Sequence, residues 1–488
     1  MIRTDILERA EACWTSLADF RRERNRCKRY TYGRQWNDMI NVEGRWMQEE
    51  DYIRQQGNIP LKNNLIRRIV RNVVGVFRNQ HTPPAARELG LPATPEGETA
   101  ILRLEESGRA NCMEELLART MEEFLISGMA VHRKWFGRRA GRLGAWTDYV
   151  HPDYFFIDST MRDFRGWDAS IVGEIHDVTF DELCCRLASP AIDPERLLEL
   201  YPGAGAVATP SFRPEDTEKM SFHSPASPGL CRVLEVWVKE TRPFYRCHDT
   251  LTGSLFRIPA AEYAERVEKP NRERVEAAAK PEEARLVKAS WKAEEVWRYY
   301  FMTTSGEVIA EGDSPYGHGG HPYVFKAYPY IDGEIHSFVA DLIDQQRYIN
   351  RLVTLYDYVM RASAKGVLVF PEEAIPAGMD IDDITSEWSR VNGVLLYRSK
   401  NGAPAPHQAT CNAANAGVSE LLNVQLKMME DVSGVNPALQ GKLESGATSG
   451  TLYGQQTRHA IVGLLDILDS FNHFIVDGAL KELSLFKK

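Results

Sequence analysis

Between Gly333 and Gly366 the chain runs through residues 334–365 without a glycine or a proline. Phe338, Leu342, Ile349, Leu352, Tyr356 and Val359 recur there at three- and four-residue steps, and Val339, Ile343, Val353 and Met360 widen the stripe. That period puts them on one face of a helix, which at 1.5 Å per residue would be about 48 Å long. A helix so long, apolar on one stripe and charged on the other, cannot cover its stripe by itself. It needs copies of itself or another long helix, and this narrows the possible folds more than any other stretch.

The segment after the helix is compact. GVLVF (366–370) reads as a strand, a segment with Asp380, Asp382 and Asp383 as an acidic turn, and GVLLYR (393–398) as a second strand. A helix is expected at about 418–433. The polar connector SGVNPALQGKLESGATSGTLYGQQTR (433–458) comes next, with five glycines and the charges Lys442, Glu444 and Arg458 among its few. The last helix, about 460–485, shows Ile461, Leu464, Leu465, Leu468, Phe471 and Ile475 on one face.

Upstream, residues 1–30 read as helical and arginine-rich, closed by the aromatic turn YTYGRQW (30–36). LKNNLIRRIVRNVVGVFRNQ (61–80) places Leu65, Ile69, Val73 and Val76 on one helical face, and a second helical block spans about 99–127, closed by Gly128. Residues 129–260 alternate as short strands, with a helix at 180–187. Residues 203–228 read as loop, and 260–295 as a charged helix broken at Pro270 and Pro281. Strands and turns lead from there to Gly333. A chain of 488 residues exceeds one core, so two to four domains of an α+β fold are expected.

Composition excludes several functions. A net charge of −9 argues against a protein that grips nucleic acid through a strongly basic face, though not against one that lets it pass. Eight cysteines without a CxxC pair suit a reducing compartment and a soluble, intracellular chain, and no stretch approaches eighteen uncharged apolar residues. QGKLESG lacks the phosphate-loop spacing: Leu443 follows Lys442, and Asn436 stands where a glycine is required. GHGGH (317–321) reads as a loop and not as a metal site. The acidic segment with Glu372, Glu373, Asp380, Asp382, Asp383 and Glu387 invites a two-metal nuclease reading, but lacks a histidine or lysine in catalytic spacing. No catalytic residue, metal ligand or cofactor is assigned. The arginine clusters at 21–29, 67–71 and 133–142 divide evenly between helix-surface pairing and contact with phosphates or an acidic neighbour.

Four stretches together carry a resemblance. They are IPLKNNLIRRIVRNVVGVFRNQ (59–80), preceded by the aromatic-Gly-x-Gln-Trp turn (32–36); VHPDYFFIDSTMRDFRGWDASIVGEIHDVTFDEL (150–183); HPYVFKAYPYIDGEIHSFVADLIDQQRYINR (321–351); and DVSGVNPALQGKLESGATSG (431–450). In this order the chain resembles the portal proteins of tailed bacteriophages, the head-to-tail connectors, and most closely the short-tailed-phage type. It departs from some of them in stopping soon after the last helix, which leaves at most a very short barrel extension.

The resemblance implies a ring of about twelve subunits and a division of the chain. Residues 1–334 would form a wing, 335–365 the first stem helix, 366–408 a small α/β clip and 409–433 the second stem helix. Residues 434–450 would be a tunnel loop and 451–488 a helix leading to a short helical crown. It implies a non-enzymatic conduit for packaging and ejecting double-stranded DNA without sequence preference, at one capsid vertex of a virion assembled in the host cytoplasm. The partners would be the terminase large subunit, the major capsid protein with scaffolding protein as a further contact, and tail adaptors; no membrane is involved. On this placement Lys442, Arg458, Lys427, Arg361 and Lys365 are the channel cations. Gly434, Asn436, Gly441, Glu444, Gly446, Ser449 and Gly450 form the tunnel loop, and the carboxylates of 372–387 dock motor and tail. The alternatives are a metal-dependent nucleic-acid-processing enzyme built on those carboxylates, or a head–tail adaptor ring.

Overall fold

The computed structural model describes residues 2–80, 95–163, 165–190, 192–204, 220–225, 227–277, 285–365, 367–376, 378–389, 394–397, 405–409, 415–435, 439 and 461–486. Two helices open the chain, α1 (Thr4–Ser16) and α2 (Ala18–Thr31), followed by the hairpin β1 (Met39–Val42) and β2 (Arg45–Gln48), then α3 (Glu49–Gln55). Helix α4 (Leu65–Gln80) begins at Leu65, the first residue of its apolar pattern, although the quoted run starts at residue 61. Asn64 is the reason: its Oδ1 accepts from Arg67 N at 3.0 Å and so caps the helix there.

The helical block expected at 99–127 is two helices, α5 (Pro95–Ala110) and α6 (Met113–Ser127). The break is held by Asn111, which donates to the carbonyls of Ser107 and Ala145 and accepts from Thr147 N. Gly128 ends α6 at φ 78°, and a Cβ there would lie 1.9 Å from the His336 carbonyl oxygen, so only glycine fits.

Strands β3 (Met129–Arg139), β4 (Arg142–Tyr149), β5 (Phe155–Ile157) and β6 (Ile171–Val178) precede α7 (Phe180–Leu187) and α8 (Pro194–Leu200). Next come β7 (Cys231–Asp249), β8 (Leu255–Pro259), α9 (Lys269–Ala277), β9 (Val287–Met302), β10 (Val308–Asp313) and β11 (Tyr323–Ala327). Two sheets result. One has the order β10-β9-β7-β6-β5 with β8 on β7, and the other the order β11-β3-β4. The charged helix expected across 260–295 ends at Ala277, and residues from Val287 onward are strand. There β9 pairs with β7 from Leu234↔Met302 to Asp249↔Val287. Its charges are spent between strands, Glu294 on Arg257 and Glu295 on Lys239, so sheet pairing overrides a composition that suits a helix.

The short hairpin β12 (Tyr330–Ile331) and β13 (Glu334–Ile335) leads into α10 (Ala340–Lys365). This long helix therefore has 26 residues and not the 32 that the glycine-free run allows. Residues 334–339 are withheld from it, because Val339 N bonds the Leu125 carbonyl and Ser337 Oγ accepts from Ala340 N at 2.9 Å as a cap. Strand β14 (Val367–Val369), α11 (Ile381–Ser389), β15 (His407–Ala409), α12 (Asn415–Ser433) and α13 (Leu465–Leu485) complete the chain. The partner of β14 is β15. Residues 394–397, expected as that partner, lie outside any strand.

The chain divides into two compact units. The first comprises Met1–Lys28, Val70–Ala340 and Ile461–Lys488. Its main core joins Ile6, Ala10 and Trp14 of α1 to Phe155, Phe156, Ile175, Val236, Trp237 and Tyr300 of the larger sheet. Helix α13 lies on β3 and β11, with Phe471 against Phe77 and Phe124, and Phe474 against His132. The second unit comprises Arg29–Ile69 and Asp341–Ala460.

Candidate functional site

Within the second unit, α10 carries a row of polar residues one turn apart, Gln346, Asn350 and Thr354, all buried. Such a row inside an otherwise apolar stripe must satisfy its hydrogen bonds locally. Gln346 Oε1 accepts from the backbone N–H of Leu65 (3.0 Å) and Ile66 (3.3 Å), taking two of the orphan donors at the start of α4. Its Nε2 donates to the Asn63 carbonyl at 2.7 Å and to Asn350 Oδ1 at 3.0 Å. Asn350 accepts from Asn63 N and donates to Gln35 Oε1 (2.8 Å), while Thr354 Oγ1 accepts from Leu61 N.

Gln35 closes the set by donating to the Tyr30 carbonyl and to Asn64 Oδ1, beside Trp36, whose indole donates to the Leu61 carbonyl. Arg347 and Arg351 both hold the buried Glu49. Three separate sequence stretches, the aromatic turn, the Asn63–Asn64 pair and the Gln-x-x-x-Asn of α10, thus meet in one hydrogen-bonded clamp. Each of them belongs to a motif that carries the family resemblance.

The predicted channel and loop residues fare unequally. Lys427 stands exposed on α12, and Arg361 and Lys365 lie in the last turns of α10. Gly434 follows α12 at φ 64°, the left-handed end that glycine favours. Lys442, Arg458, Asn436, Gly441, Glu444, Gly446, Ser449 and Gly450 lie outside the described residues. On both helices the described faces leave apolar side chains open: Tyr348, Leu355 and Tyr358 on α10, and Leu421, Val424, Met428 and Val432 on α12.

The acidic segment is helical where a turn was expected. Asp380 caps α11, with its Oδ1 taking Ile381 N and its own N–H donating to Asp383 Oδ2 at 3.1 Å, so two of these carboxylates work as local structure. Glu372 stands exposed on a short 3-10 turn that also contains Glu373. Asp380, Asp382 and Asp383 are exposed and Glu387 is half-buried. Among the described residues these carboxylates do not converge as a metal-ligand group.

The arginine clusters resolve largely into internal pairing. Arg24 is buried and bridges Glu123 (2.6 Å) and Asp153 (2.8 Å), and Arg21 is buried over the Trp14 ring. Arg139 pairs with Asp148 and Arg142 with Glu106. These side chains are committed within the first unit, whereas Arg68 and Arg71 lie exposed on α4.

One grouping escaped the sequence reading altogether. In the first unit Glu174 of β6 and Glu235 of β7 are direct cross-strand partners, and His176 follows on the same face of β6. His176 Nε2 lies 2.9 Å from Glu235 Oε2 and its Nδ1 3.7 Å from Glu174 Oε1. Arg133 of β3 reaches Glu235 at 3.0 Å, and the Trp237 indole donates to the same carboxylate. Burial alone would raise the Glu235 carboxyl, but Arg133, His176 and Trp237 outweigh it and hold it down to about 2. Burial pushes the Glu174 carboxyl up. The alternation in GEIH marked Glu174 and His176 as one-faced, but only the register with a strand some sixty residues away brings in Glu235.

With this geometry in view, comparison with known proteins gives one clear match. The family model described as Phage P22-like portal protein matches residues 7–488. No curated protein matches significantly.

Proposed function

The chain belongs to the phage P22-like portal protein family, and from that premise we propose that it assembles into a ring at one capsid vertex through which double-stranded DNA is packaged and ejected. The family places it among capsid components of the virion. The observation that best supports the ring is the pair of uncovered apolar rows. Leu421, Val424, Met428 and Val432 recur at helical spacing on α12, and Tyr348, Leu355 and Tyr358 stand open on α10. Neighbouring copies in a closed ring of about twelve would cover rows of this kind.

In this reading the protein is a conduit, and none of its residues does chemistry. Lys442, Arg458, Lys427, Arg361 and Lys365 give the channel a sparse set of cations. Each neutralised phosphate adds affinity, so a bore that must let DNA slide is best served by few of them. The 434–450 segment, with its glycines, serves as the tunnel loop. The exposed carboxylates of α11 and its flank, Glu372, Asp380, Asp382 and Asp383, offer a charged face to the terminase large subunit and later to tail adaptors, while the body of the ring meets the major capsid protein and scaffold. Among the described residues the acidic segment does not favour the nuclease reading, since its carboxylates do not converge as a metal-ligand group and two of them cap a helix.

Deleting residues 443–449 tests the channel assignment. The ring should assemble at its normal mass while packaged DNA per particle falls. Normal packaging by the deletion would remove the loop from the channel.

A further inference from the structure

Two carboxylates directly opposite each other on neighbouring strands and both largely withdrawn from water form a costly arrangement. Glu174 and Glu235 are such a pair, with side-chain exposures of 14% and 0%. Arg133 bonds Glu235 directly and acts on Glu174 through space, so that among the described residues the imidazole of His176 is the group within ion-pair reach of Glu174. Two further atoms lie at the same place. Glu174 Oε2 and the hydroxyl of Tyr323, a fully buried residue whose Cα partner across the β11–β3 ladder is Arg133, are buried without a hydrogen bond of normal geometry and act on each other electrostatically. His176 and Arg133 also line a cavity of about 320 Å³ whose walls carry Arg139, Asp148 and Arg186 besides apolar side chains, so the cluster is reached from that cavity at His176.

The separation of His176 Nδ1 from Glu174 Oε1, 3.7 Å, is too long for a hydrogen bond. It is close to the spacing of two ligands on one tetrahedral ion, about 3.4 Å for metal–ligand bonds near 2.1 Å. The other imidazole nitrogen, Nε2, already lies against a carboxylate, Glu235. A carboxylate behind a histidine is the arrangement that fixes the tautomer and aims the free lone pair of a ligating imidazole at a metal.

We propose that Glu174 and His176, backed by Glu235 and with Tyr323 beside them, form a site for one divalent transition-metal ion of the Zn2+ or Mn2+ kind. Water from the cavity completes the shell. The mixed nitrogen and carboxylate donors suit these ions better than Ca2+ or Mg2+, which prefer oxygen alone. The ion gives Glu174 a directly bonded positive partner and fixes it to His176 on β6, with Glu235 of β7 held behind the imidazole, a structural role independent of the DNA channel.

The full-length protein, freed of metal with a chelator, is loaded separately with Zn2+, Mn2+, Mg2+ or Ca2+ and desalted. Bound metal is then counted by mass spectrometry. One Zn2+ or Mn2+ per chain is expected, and no retained Mg2+ or Ca2+. Glu174→Gln and His176→Gln should each lower affinity for the ion by at least 10-fold, and Glu235→Gln by about 10–100-fold, while the exposed-site control Asp341→Asn leaves it unchanged. Co2+ added to the unaltered protein provides a readout that needs no variant to fold, because four- or five-coordinate Co2+ bound by His176 shows strong visible bands. Absence of those bands, or metal retention indifferent to E174Q and H176Q, would overturn the site.

Discussion

Replacing Gln346 by Leu tests the clamp that the resemblance motifs build. The change keeps the side chain's size roughly constant and removes four hydrogen bonds, those to Leu65 N, Ile66 N, the Asn63 carbonyl and Asn350. Asn63 is exposed, so its carbonyl regains water. The Ile66 amide belongs to a residue with no exposure, and that of Leu65 to a half-buried one. An unsatisfied buried donor costs about 1–3 kcal/mol, and Asn350 loses a partner as well, so a destabilisation of about 3 kcal/mol is expected. Urea unfolding of the unassembled chain, followed by circular dichroism, measures it as a lower midpoint. Gln346→Glu keeps an acceptor for the two amides but buries a carboxylate whose second oxygen faces the Asn63 carbonyl and Asn350 Oδ1. It too should be destabilising, less so at acidic pH where the carboxyl is protonated and can donate. Asp344→Asn, exposed on the same helix, should change stability by less than about 0.5 kcal/mol. A Gln346→Leu protein no less stable than Asp344→Asn would show that the polar row does not organise α10 against the start of α4.

Two other perturbations probe the seat of α13. Lys134 and Glu482 form a buried pair at 2.5 Å, so Lys134→Met strands a carboxylate and should cost about 3–5 kcal/mol, while the double change Lys134→Met with Glu482→Leu should restore most of it in thermal unfolding. Lys481 is the second case. Burial holds its ammonium down to about 7 from an ordinary 10.5, with Asp477 pulling the other way, and it donates to the His321 and Tyr323 carbonyls with the His321 ring 3.4 Å away. A cation whose folded value is depressed is protonated in the unfolded chain but not in the folded one between the two values. Stability should therefore rise with pH from about 7 to about 10.5 and level off above, and Lys481→Met should flatten this slope in denaturation series across that range.

What the sequence disclosed depended on how local each signal was. The run after Gly333 announced a long helix, the end of α6 was legible at Gly128, and α7 fell where its pattern put it. The start of α10 was not legible, because a serine cap and a hydrogen bond from Val339 to Leu125 withdraw six residues that carry no breaker. Strand β9 was hidden for another reason: its lysines and glutamates suit a solvated helix, and only the distant partner β7 makes them a strand. The buried roles of Arg24 and Arg133 were invisible for the same cause, since Glu123, Asp153 and Glu235 are brought to them by tertiary pairing. The residues of the clamp behaved likewise. The motif residues Gln35, Asn64, Gln346 and Asn350 could be picked out as a pattern, yet their common purpose appears only once α10 is set beside the start of α4.

Ring assembly is the claim on which the conduit reading rests. Negative-stain images of the purified chain, with native mass on the same sample, test it most directly. Closed rings of about twelve copies around a central hole wide enough for duplex DNA are predicted. A monomer that stays a monomer at high concentration, or a particle without a central opening, would contradict it.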